Sequence, residues 1–292
     1  MPLYISNQPA RRGCFSAPQD RQIPVLIHSN ELQMQHRDFP QRFDMSCLMA
    51  DAFELTNTGK HDVQYPLIPS NCYGIVFQFT GRLISAQFCG MNTSVRILRL
   101  APGSSAFVIR LRPGTMNGLT GELAQDHMDR TSALESMLPY AAEWMQLVCG
   151  GESFHERTVI VHQYFKKYFP NAGTAVPDRL KKILEIIDRE KGTCRVTELA
   201  DHSQCSERYL GNLFQKHVGC APKLFCEIMQ MQYSLDEILR NRPKSLAQVA
   251  VRYGYFDQPH MNRIYHKLLG RTASEMRLYA EVQRAREVAS FI

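Results

Sequence analysis

The sequence predicts an α+β protein with a β-rich N-terminal domain and an all-α C-terminal domain. From Tyr73 onward, short runs of alternating apolar and polar residues are separated by Gly and Pro turn signals, which is typical of antiparallel strands. After residue 178 the apolar residues recur every three or four positions, which is the period of amphipathic helices. The segment 169–178 lies between these patterns and contains the Pro, Gly and small residues of a linker.

We therefore divide the chain into an N-terminal domain (1–170), a linker (171–177) and a C-terminal domain (178–292). The length of 292 residues suits two domains, since domains typically contain roughly 100–200 residues. With 44% hydrophobic and 21% charged residues, the chain is expected to form globular cores and not to be disordered.

The hydropathy of the chain disfavours a membrane protein. The mean hydropathy is −0.29, and no apolar run approaches the roughly 18 residues that a membrane span needs. The first residues also lack the apolar core of a secretory signal. We therefore expect a cytoplasmic protein without a membrane partner.

Motifs for catalysis or metal binding are not found in the sequence. The nine cysteines are odd in number and include no C-x-x-C pair, which disfavours a disulfide framework and a zinc site. The sequence contains no G-x-S-x-G motif, no Gly-rich phosphate loop and no H-E-x-x-H pattern. We expect a non-enzymatic protein with reduced cysteines and with no catalytic residues, metal or cofactor.

The net charge of +6 is concentrated in the C-terminal part of the chain. Residues 1–177 contain 15 basic and 14 acidic residues, whereas residues 178–292 contain 19 basic and 14 acidic residues. A basic excess of this kind suits a domain that binds a polyanion such as DNA.

The N-terminal domain shows strand patterns followed by helix patterns. The predicted strands are 73–79, 82–91, 94–100 and 105–112. Residues 1–70 show no sustained period, and no element is predicted there. A helical period continues from Leu119 to Cys149, and another helix is predicted over 152–168. These patterns predict an antiparallel sandwich or small barrel with helices at its end.

The C-terminal domain contains an internal repeat. Its two copies are residues 196–222 and 246–273. Ala200 matches Ala250 at an offset of 50, whereas Phe214 matches Tyr265 at an offset of 51, so the second copy has one extra residue between its helices. Each copy has a small residue in a first helix, a turn and an amphipathic second helix, which is the pattern of a helix-turn-helix. A long helix is predicted between the copies, over 222–239.

This repeat resembles the DNA-binding domain of AraC/XylS-type bacterial transcription regulators, in which a linker helix joins two helix-turn-helix units. In and after the first unit the matching residues are Leu199-Ala200, Ser206, Tyr209-Leu210, Leu213-Phe214, Lys216, Gly219, Pro222-Lys223 and Phe225. In the second unit they are Val249-Ala250, Tyr253-Gly254-Tyr255, Asp257-Gln258, Arg263, Lys267, Gly270, Thr272 and Arg277. The resemblance covers residues 178–278, about a third of the chain.

The chain departs from the family pattern at four places. Gln230 stands where the linker helix usually has arginine, and Gln204 stands in the first turn where glycine is common. Gly211 lies inside the first recognition helix, and residues 272–277 read TASEMR where the family usually has Thr-Pro. We therefore expect a diverged member of the family.

The resemblance and the chemistry of the helix faces identify candidate DNA contacts. The candidates for base contact are Arg208 and Asn212 in the first unit and Gln258, His260, Asn262 and Arg263 in the second. Arginine bonds guanine bidentately in the major groove, and Asn or Gln bonds adenine. For Arg263, a phosphate contact is the alternative. The candidates for phosphate contact are Lys216 and Lys267, together with Lys223 and Lys244. A linker helix of this length suits one monomer that reads two successive grooves of one DNA face.

The resemblance implies a sensing or dimerising role for residues 1–170, with a cupin-like or related β-rich fold and a helical hairpin. Arg110 and Arg112 are candidates for binding an anionic effector, as are Arg96 and Arg99, and the alternative is a solvent-facing row of arginines. A second set of residues either forms a dimer seam or packs on its own sheet. This set comprises Met137, Trp144, Met145 and Val148.

These expectations describe a sequence-specific regulator that binds double-stranded promoter DNA. The resemblance implies activation of transcription with RNA polymerase as a partner, and modulation by a small-molecule effector or a partner at the N-terminal domain; homodimerisation is left open. Two alternatives remain, namely an N-terminal domain that only dimerises and an enzyme or DNA-repair fusion that carries this module. The wide spacing of Cys14, Cys47, Cys72 and Cys89 disfavours the repair fusion.

Overall fold

The N-terminal domain is built on two antiparallel sheets. The computed structural model describes residues 32–38, 48–241, 245–279 and 281. A six-stranded sheet has the strand order β1-β2-β7-β4-β5-β8, and β3 pairs separately with β6. The strands are β1 (Leu32–Asp38), β2 (Met49–Asn57), β3 (Val63–Leu67), β4 (Tyr73–Phe79), β5 (Leu83–Cys89), β6 (Arg96–Leu100), β7 (Ser105–Leu111) and β8 (Thr131–Ala133).

The central strands of the larger sheet are buried on both faces. In β7, Phe107 and Ile109 pack into the core that the helices share, whereas Ala106 and Val108 pack into a second core with β3 and β6. Successive side chains of a strand point to opposite faces, so both sets become buried when the sheet has a layer on each side. The alternation that begins at Tyr73 therefore predicts β4 correctly, and the four predicted strands correspond to β4–β7.

The sequence did not predict β1, β2 and β3, which lie within residues 1–70. Strand β2 lacks a recognisable alternation of buried apolar and exposed polar residues. Its charged residues Asp51 and Glu54 are buried together with its apolar residues. Asp51 pairs with Arg110 of β7, and Glu54 pairs with Arg157 at 3.0 Å. Buried carboxylates are stable only when they are paired, and these partners are distant in sequence.

Four helices follow strand β7 in the described part of the N-terminal domain. They are α1 (Met116–Thr120), α2 (Leu134–Met137), α3 (Ala141–Gly150) and α4 (Phe154–Tyr168). The continuous helical period predicted from Leu119 to Cys149 is wrong before α3, because this segment contains a 3₁₀ turn at Ala124–His127 and strand β8. Pro139 disfavours continuous helix at this point, and Tyr140 has a left-handed φ of 56°.

The described residues of the C-terminal domain form helices joined by turns. Its helices are α5 (Asp178–Arg189), α6 (Val196–His202), α7 (Glu207–His217), α8 (Pro222–Asn241), α9 (Leu246–Arg252) and α10 (Gln258–Leu269), followed by helical residues 273–279. The predicted α+β class is confirmed, as are two helix-turn-helix units joined by a helix. Pro177 occupies the N-cap position of α5, and Asp178 is its first helical residue.

Two further features bear on the predicted organisation. The proposed linker contains a 3₁₀ turn at Ala172–Ala175, and Ala172 and Val176 are buried in the shared core. In the described ranges, no helix combines the length and the apolar character needed to cross a membrane. Cys14, Cys47, Lys244 and the tail after Glu281 lie outside the described residues.

Candidate nucleic-acid interface

The two helix-turn-helix units have the same backbone plan with one insertion. Helix α9 begins 50 residues after α6, and α10 begins 51 residues after α7. The extra residue that the sequence repeat predicts is therefore confirmed, and it lies in the turn between α9 and α10. The second helix of each unit, α7 or α10, is its recognition helix.

A side chain caps the N-terminus of each recognition helix. The hydroxyl oxygen of Ser206 accepts a hydrogen bond from the backbone N–H of Tyr209 at 3.1 Å. A carboxylate oxygen of Asp257 accepts a bond from the N–H of His260 at 2.6 Å. Such caps satisfy N–H groups that have no partner inside the helix, and they define where each helix begins.

One face of each recognition helix is buried against the domain core. The buried residues are Leu210, Leu213 and Phe214 in α7 and Met261, Ile264 and Tyr265 in α10. They have the three-to-four-residue spacing of an amphipathic helix. The opposite faces, which carry the candidate DNA contacts, are consequently turned towards solvent.

Four of the candidate base contacts are available to a ligand. Arg208, Asn212 and Arg263 are exposed, and Gln258 is half-exposed. Within the part of the chain that the structure describes, none of these four side chains makes a hydrogen bond or an ion pair. The structure thus places an arginine and an amide side chain on the outer face of each recognition helix.

Three other candidates already have partners within the domain. The Nδ1 atom of His260 accepts a hydrogen bond from the N–H of Phe256 at 3.2 Å, so a neutral ring carries its proton on Nε2 and presents a donor. The side-chain oxygen of Asn262 accepts from the N–H of Ala273 at 3.1 Å. Lys267 donates to Glu227 of α8 at 2.8 Å. A DNA contact through Asn262 or Lys267 would therefore have to replace these bonds.

The predicted phosphate contacts Lys216 and Lys223 are both exposed. Lys216 lies in the last turn of α7, and Lys223 lies in the first turn of α8. Their exposure leaves them accessible to a phosphate group, and their DNA-binding role stays a prediction.

Helix α8 forms a common support for both units. Near its N-terminus, Phe225 packs edge-on against Phe214 with ring centroids 5.6 Å apart. Further along, the buried hydroxyl of Ser234 lies 2.8 Å from the Tyr265 hydroxyl and 3.3 Å from that of Tyr255. Burial raises the pKa of both tyrosines, so their hydroxyls stay protonated and available for hydrogen bonds. The 20-residue helix is about 30 Å long.

Gln230 connects α8 to the turn of the second unit. Its side-chain N–H group donates to the backbone carbonyl of Tyr253 at 3.2 Å. The residue therefore links the two elements despite the departure from arginine at this position.

The two turns differ at one equivalent position. Gln204 has a φ of 50° and Gly254 has a φ of 74°. Both conformations are left-handed, which glycine adopts freely and other residues adopt at a cost. Gln204 is therefore a strained substitute for glycine in the first turn.

Comparison with known families agrees with this architecture. The family described as helix-turn-helix domain matches residues 199–278, which include α7–α10 and the part of α6 from Leu199 onward. The C-terminal region is an AraC-type helix-turn-helix domain. Domains of this type bind DNA in regulators of transcription.

Solved structures of ToxT from Vibrio cholerae are similar to the whole chain at a low level. A 1.65 Å structure has 11% identity and a TM-score of 0.43, with 85% of this chain and 98% of that chain covered. A structure of ToxT bound to (E)-4-(8-methylnaphthalen-1-yl)but-3-enoic acid has 12% identity and a TM-score of 0.43, covering 86% and 99%. Unsaturated fatty acid bound ToxT has 12% identity and a TM-score of 0.38, covering 86% and 96%. Comparison with curated proteins returns no match.

Among the described residues, buried hydrogen bonds from Tyr73, Asn71 and Gln232 join the AraC-type domain to the N-terminal domain. The Tyr73 hydroxyl lies 3.0 and 3.1 Å from the carbonyl oxygens of His217 and Val218, at the C-terminus of α7. The other two bonds are Asn71 Nδ2 to the Phe225 carbonyl at 3.0 Å and Gln232 Nε2 to the Pro69 carbonyl at 2.8 Å. No local sequence pattern identifies these contacts, since Tyr73 is also an ordinary apolar position of β4.

A cavity of about 340 Å³ separates the second unit from the smaller sheet. The sheet side is lined by Gln64, Pro66, Ile68, Val95 and Ile97, and the other side by Leu269, Arg271, Met276 and Tyr279. We call it the interdomain cavity. Its volume is at the lower end of the roughly 300–1,000 Å³ typical of small-molecule sites, and its walls are mainly apolar.

The arginines predicted to hold an anionic effector have different surroundings in the structure. Arg110 is buried, and its guanidinium forms two hydrogen bonds with Asp51. Arg112 lies close enough to Asp188 to oppose the rise in the pKa of that carboxyl that burial causes. Arg96 donates to the Thr131 hydroxyl, and Arg99 is exposed. Arg110 is therefore already paired with a buried carboxylate, and its role in effector binding stays a prediction.

The proposed dimer seam is only partly exposed. Trp144 and Val148 are fully buried in their own domain, and Met137 and Met145 pack against that core. The exposed apolar residues of α3 and its surroundings are instead Tyr140 and Leu147. Among the described residues, no group of three or more His, Cys, Asp or Glu side chains is arranged to hold a metal ion.

Proposed function

We propose that this protein is a sequence-specific transcription regulator in which one monomer reads a bipartite DNA site. The first unit would contact one major groove through Arg208 and Asn212. The second unit would contact the next groove through Gln258, His260 and Arg263. The protein would bind DNA and activate transcription through RNA polymerase, without catalysing a reaction.

The single observation that supports this proposal most strongly is the mounting of two capped recognition helices on one helix. Helix α8 is about 30 Å long, and successive major grooves on one DNA face are about 34 Å apart. The outer face of each recognition helix carries an exposed arginine. Arginine contacts to guanine are among the most discriminating in the major groove.

The experiment is selection of bound duplexes from random DNA by the full-length protein and three variants. Arg263→Ala and Arg208→Ala remove one candidate contact in each unit. Arg189→Ala is the matched control, because this arginine is exposed on α5 outside both recognition helices. We expect a motif with two blocks about one helical turn apart.

Each recognition-helix variant should affect its own block. A bidentate arginine contributes about 1–3 kcal/mol of discrimination, so each variant should lower affinity roughly 5- to 150-fold for duplexes with its preferred base. The Arg189→Ala variant should select the wild-type motif. Binding that depends on salt but not on sequence, in all four proteins, would contradict the proposal.

We further propose that the interdomain cavity holds an effector. A ligand bound there would contact both the smaller sheet and the second unit, so it would favour one arrangement of the two domains. The apolar walls and the positive charge of Arg271 suit an apolar molecule with an anionic group.

This effector proposal can be tested with octanoate and 1-naphthoate as probes. We expect either probe to raise the Tm of the wild-type protein and to change its DNA affinity, and Ile97→Trp or Arg271→Gln to remove both effects. The matched control is Arg240→Gln, an arginine of α8 outside the cavity. If no probe binds and the unliganded protein activates transcription fully, the alternative of an N-terminal domain that only dimerises is favoured.

A further inference from the structure

The residue inserted into the second turn is Phe256. In the first unit, the N–H of Cys205 donates to the Ala200 carbonyl at 3.0 Å. In the second unit, the equivalent bond runs from the N–H of Tyr255 to the Ala250 carbonyl at 2.9 Å. Tyr255 thus corresponds to Cys205 and the cap Asp257 corresponds to Ser206, which leaves Phe256 without a counterpart.

Phe256 is directed into solvent from a fixed backbone. Its side chain is 88% exposed, the highest value among the large apolar side chains of the described residues. Its backbone N–H donates to Nδ1 of His260, and the His260 ring packs edge-on against buried Tyr255 with centroids 5.8 Å apart. The exposed phenyl ring therefore extends from a turn whose backbone is hydrogen-bonded. The residue is also bonded to His260, which is a candidate base contact.

Phe256 lies at the N-terminal end of the recognition helix of the second unit. It immediately precedes Asp257, the cap of α10, and the N-terminal residues of a recognition helix are those that meet base edges in the major groove. The apolar group that the major groove presents is the C5-methyl of thymine, which apolar side chains contact.

We propose that Phe256 packs against a thymine methyl group in the DNA block read by the second unit. This contact would give the second unit a preference for thymine that the first unit lacks, because the first turn has no equivalent residue. The proposal rests on the proposed function, in which α10 enters the major groove.

The test uses the full-length protein and its selected duplex, with each thymine of the second block replaced in turn by uracil. This replacement removes only the methyl group. At one position, we expect the uracil duplex to bind the wild-type protein about fourfold more weakly than the thymine duplex. This ratio corresponds to the free energy gained by burying one methyl or methylene group. Phe256→Ala should bind the thymine duplex more weakly and should not respond to uracil at that position, whereas Phe256→Leu should retain part of the response.

The matched control is Leu278→Ala, since Leu278 is 59% exposed but lies outside both recognition helices. It should respond to uracil like the wild type. The proposal is overturned if Phe256→Ala keeps wild-type affinity and the wild-type uracil response. It is equally overturned if this variant loses only promoter activation, because Phe256 would then contact a protein.

The Arg263→Ala variant distinguishes the two proposals. Suppose that Arg263→Ala no longer selects the second block of the DNA motif, whereas Phe256→Ala selects it with the wild-type thymine preference. The inference about Phe256 then fails and the proposed function stands. If the wild-type protein itself selects no second block, both fail.

Discussion

The two helix-turn-helix units differ less in their own helices than in what surrounds them. Tyr73 of the N-terminal domain bonds to the C-terminus of α7 in the first unit, and Asn71 bonds to the adjacent start of α8. The second unit faces the smaller sheet across the interdomain cavity. The first unit is thus hydrogen-bonded to the N-terminal domain, whereas a cavity large enough for a ligand lies between the second unit and that domain.

This difference gives the two units of the AraC-type domain different connections to the N-terminal domain. The first unit is held in a defined orientation relative to the N-terminal domain by buried hydrogen bonds. The second unit depends mainly on α8, through Ser234 and Tyr265. Regulation by the N-terminal domain would therefore act more readily on the position of the second unit.

The largest expected effect on stability comes from truncating a buried aromatic side chain in each unit. Tyr265→Ala and Phe214→Ala should each lower the free energy of unfolding by about 3–5 kcal/mol, because both side chains are fully buried. We expect Tyr265→Ala to open the second unit alone, whereas Phe214→Ala should also loosen the junction with the N-terminal domain. Urea unfolding combined with limited proteolysis distinguishes these outcomes; identical cleavage patterns would remove the proposed difference between the units.

A smaller effect is expected from the Tyr73 hydroxyl. Tyr73→Phe should cost about 1–2 kcal/mol, because the carbonyls of His217 and Val218 lose a donor in a buried site. Affinity for the first DNA block should fall more than affinity for the second. Tyr164→Phe is the matched control, since that hydroxyl donates to the Pro139 carbonyl within the N-terminal domain. Equal losses in both blocks for Tyr73→Phe would argue against selective coupling to the first unit.

The two turns should respond in opposite directions to changes of similar size. Gln204→Gly should stabilise the protein by up to about 1 kcal/mol, because it relieves a left-handed backbone. Gly254→Ala should destabilise it by about 1–2 kcal/mol, because it imposes the same strain and places a Cβ 3.0 Å from the Thr193 side chain. Thermal unfolding measures both changes. A Gln204→Gly variant less stable than the wild type would show that the glutamine makes a compensating contact.

The smallest expected effect is a pH dependence at the junction of the first unit. Burial lowers the pKa of His217, and the adjacent positive charge of Lys216 lowers it further. Between this lowered value and about 6.5 the unfolded chain binds more protons than the folded chain, so stability falls as pH decreases below about 6.5. Urea midpoints between about pH 7.5 and 5.5 should fall less steeply for His217→Gln. Parallel pH profiles for the two proteins would exclude His217 as the source.

Local signals explain which parts of the interface were predictable. The caps at Ser206 and Asp257, the inward helix faces and the inserted residue all depend on residues within a few positions of one another. Hydrogen bonds and periodicity at that range are encoded directly in the sequence. The helical period alone therefore assigns Arg208 and Arg263 to exposed faces.

The sequence by itself thus determined the all-α character of the C-terminal domain, its two units and the one-residue difference between them. Only the tertiary structure decided the burial of β2, the pairing of Asp51 with Arg110 and the attachment of Tyr73 to α7. The Asp51–Arg110 pair joins residues 59 positions apart, and the bond from Tyr73 to His217 joins residues 144 positions apart. A polar side chain becomes a core residue only when a distant partner satisfies it, and no local pattern specifies that partner.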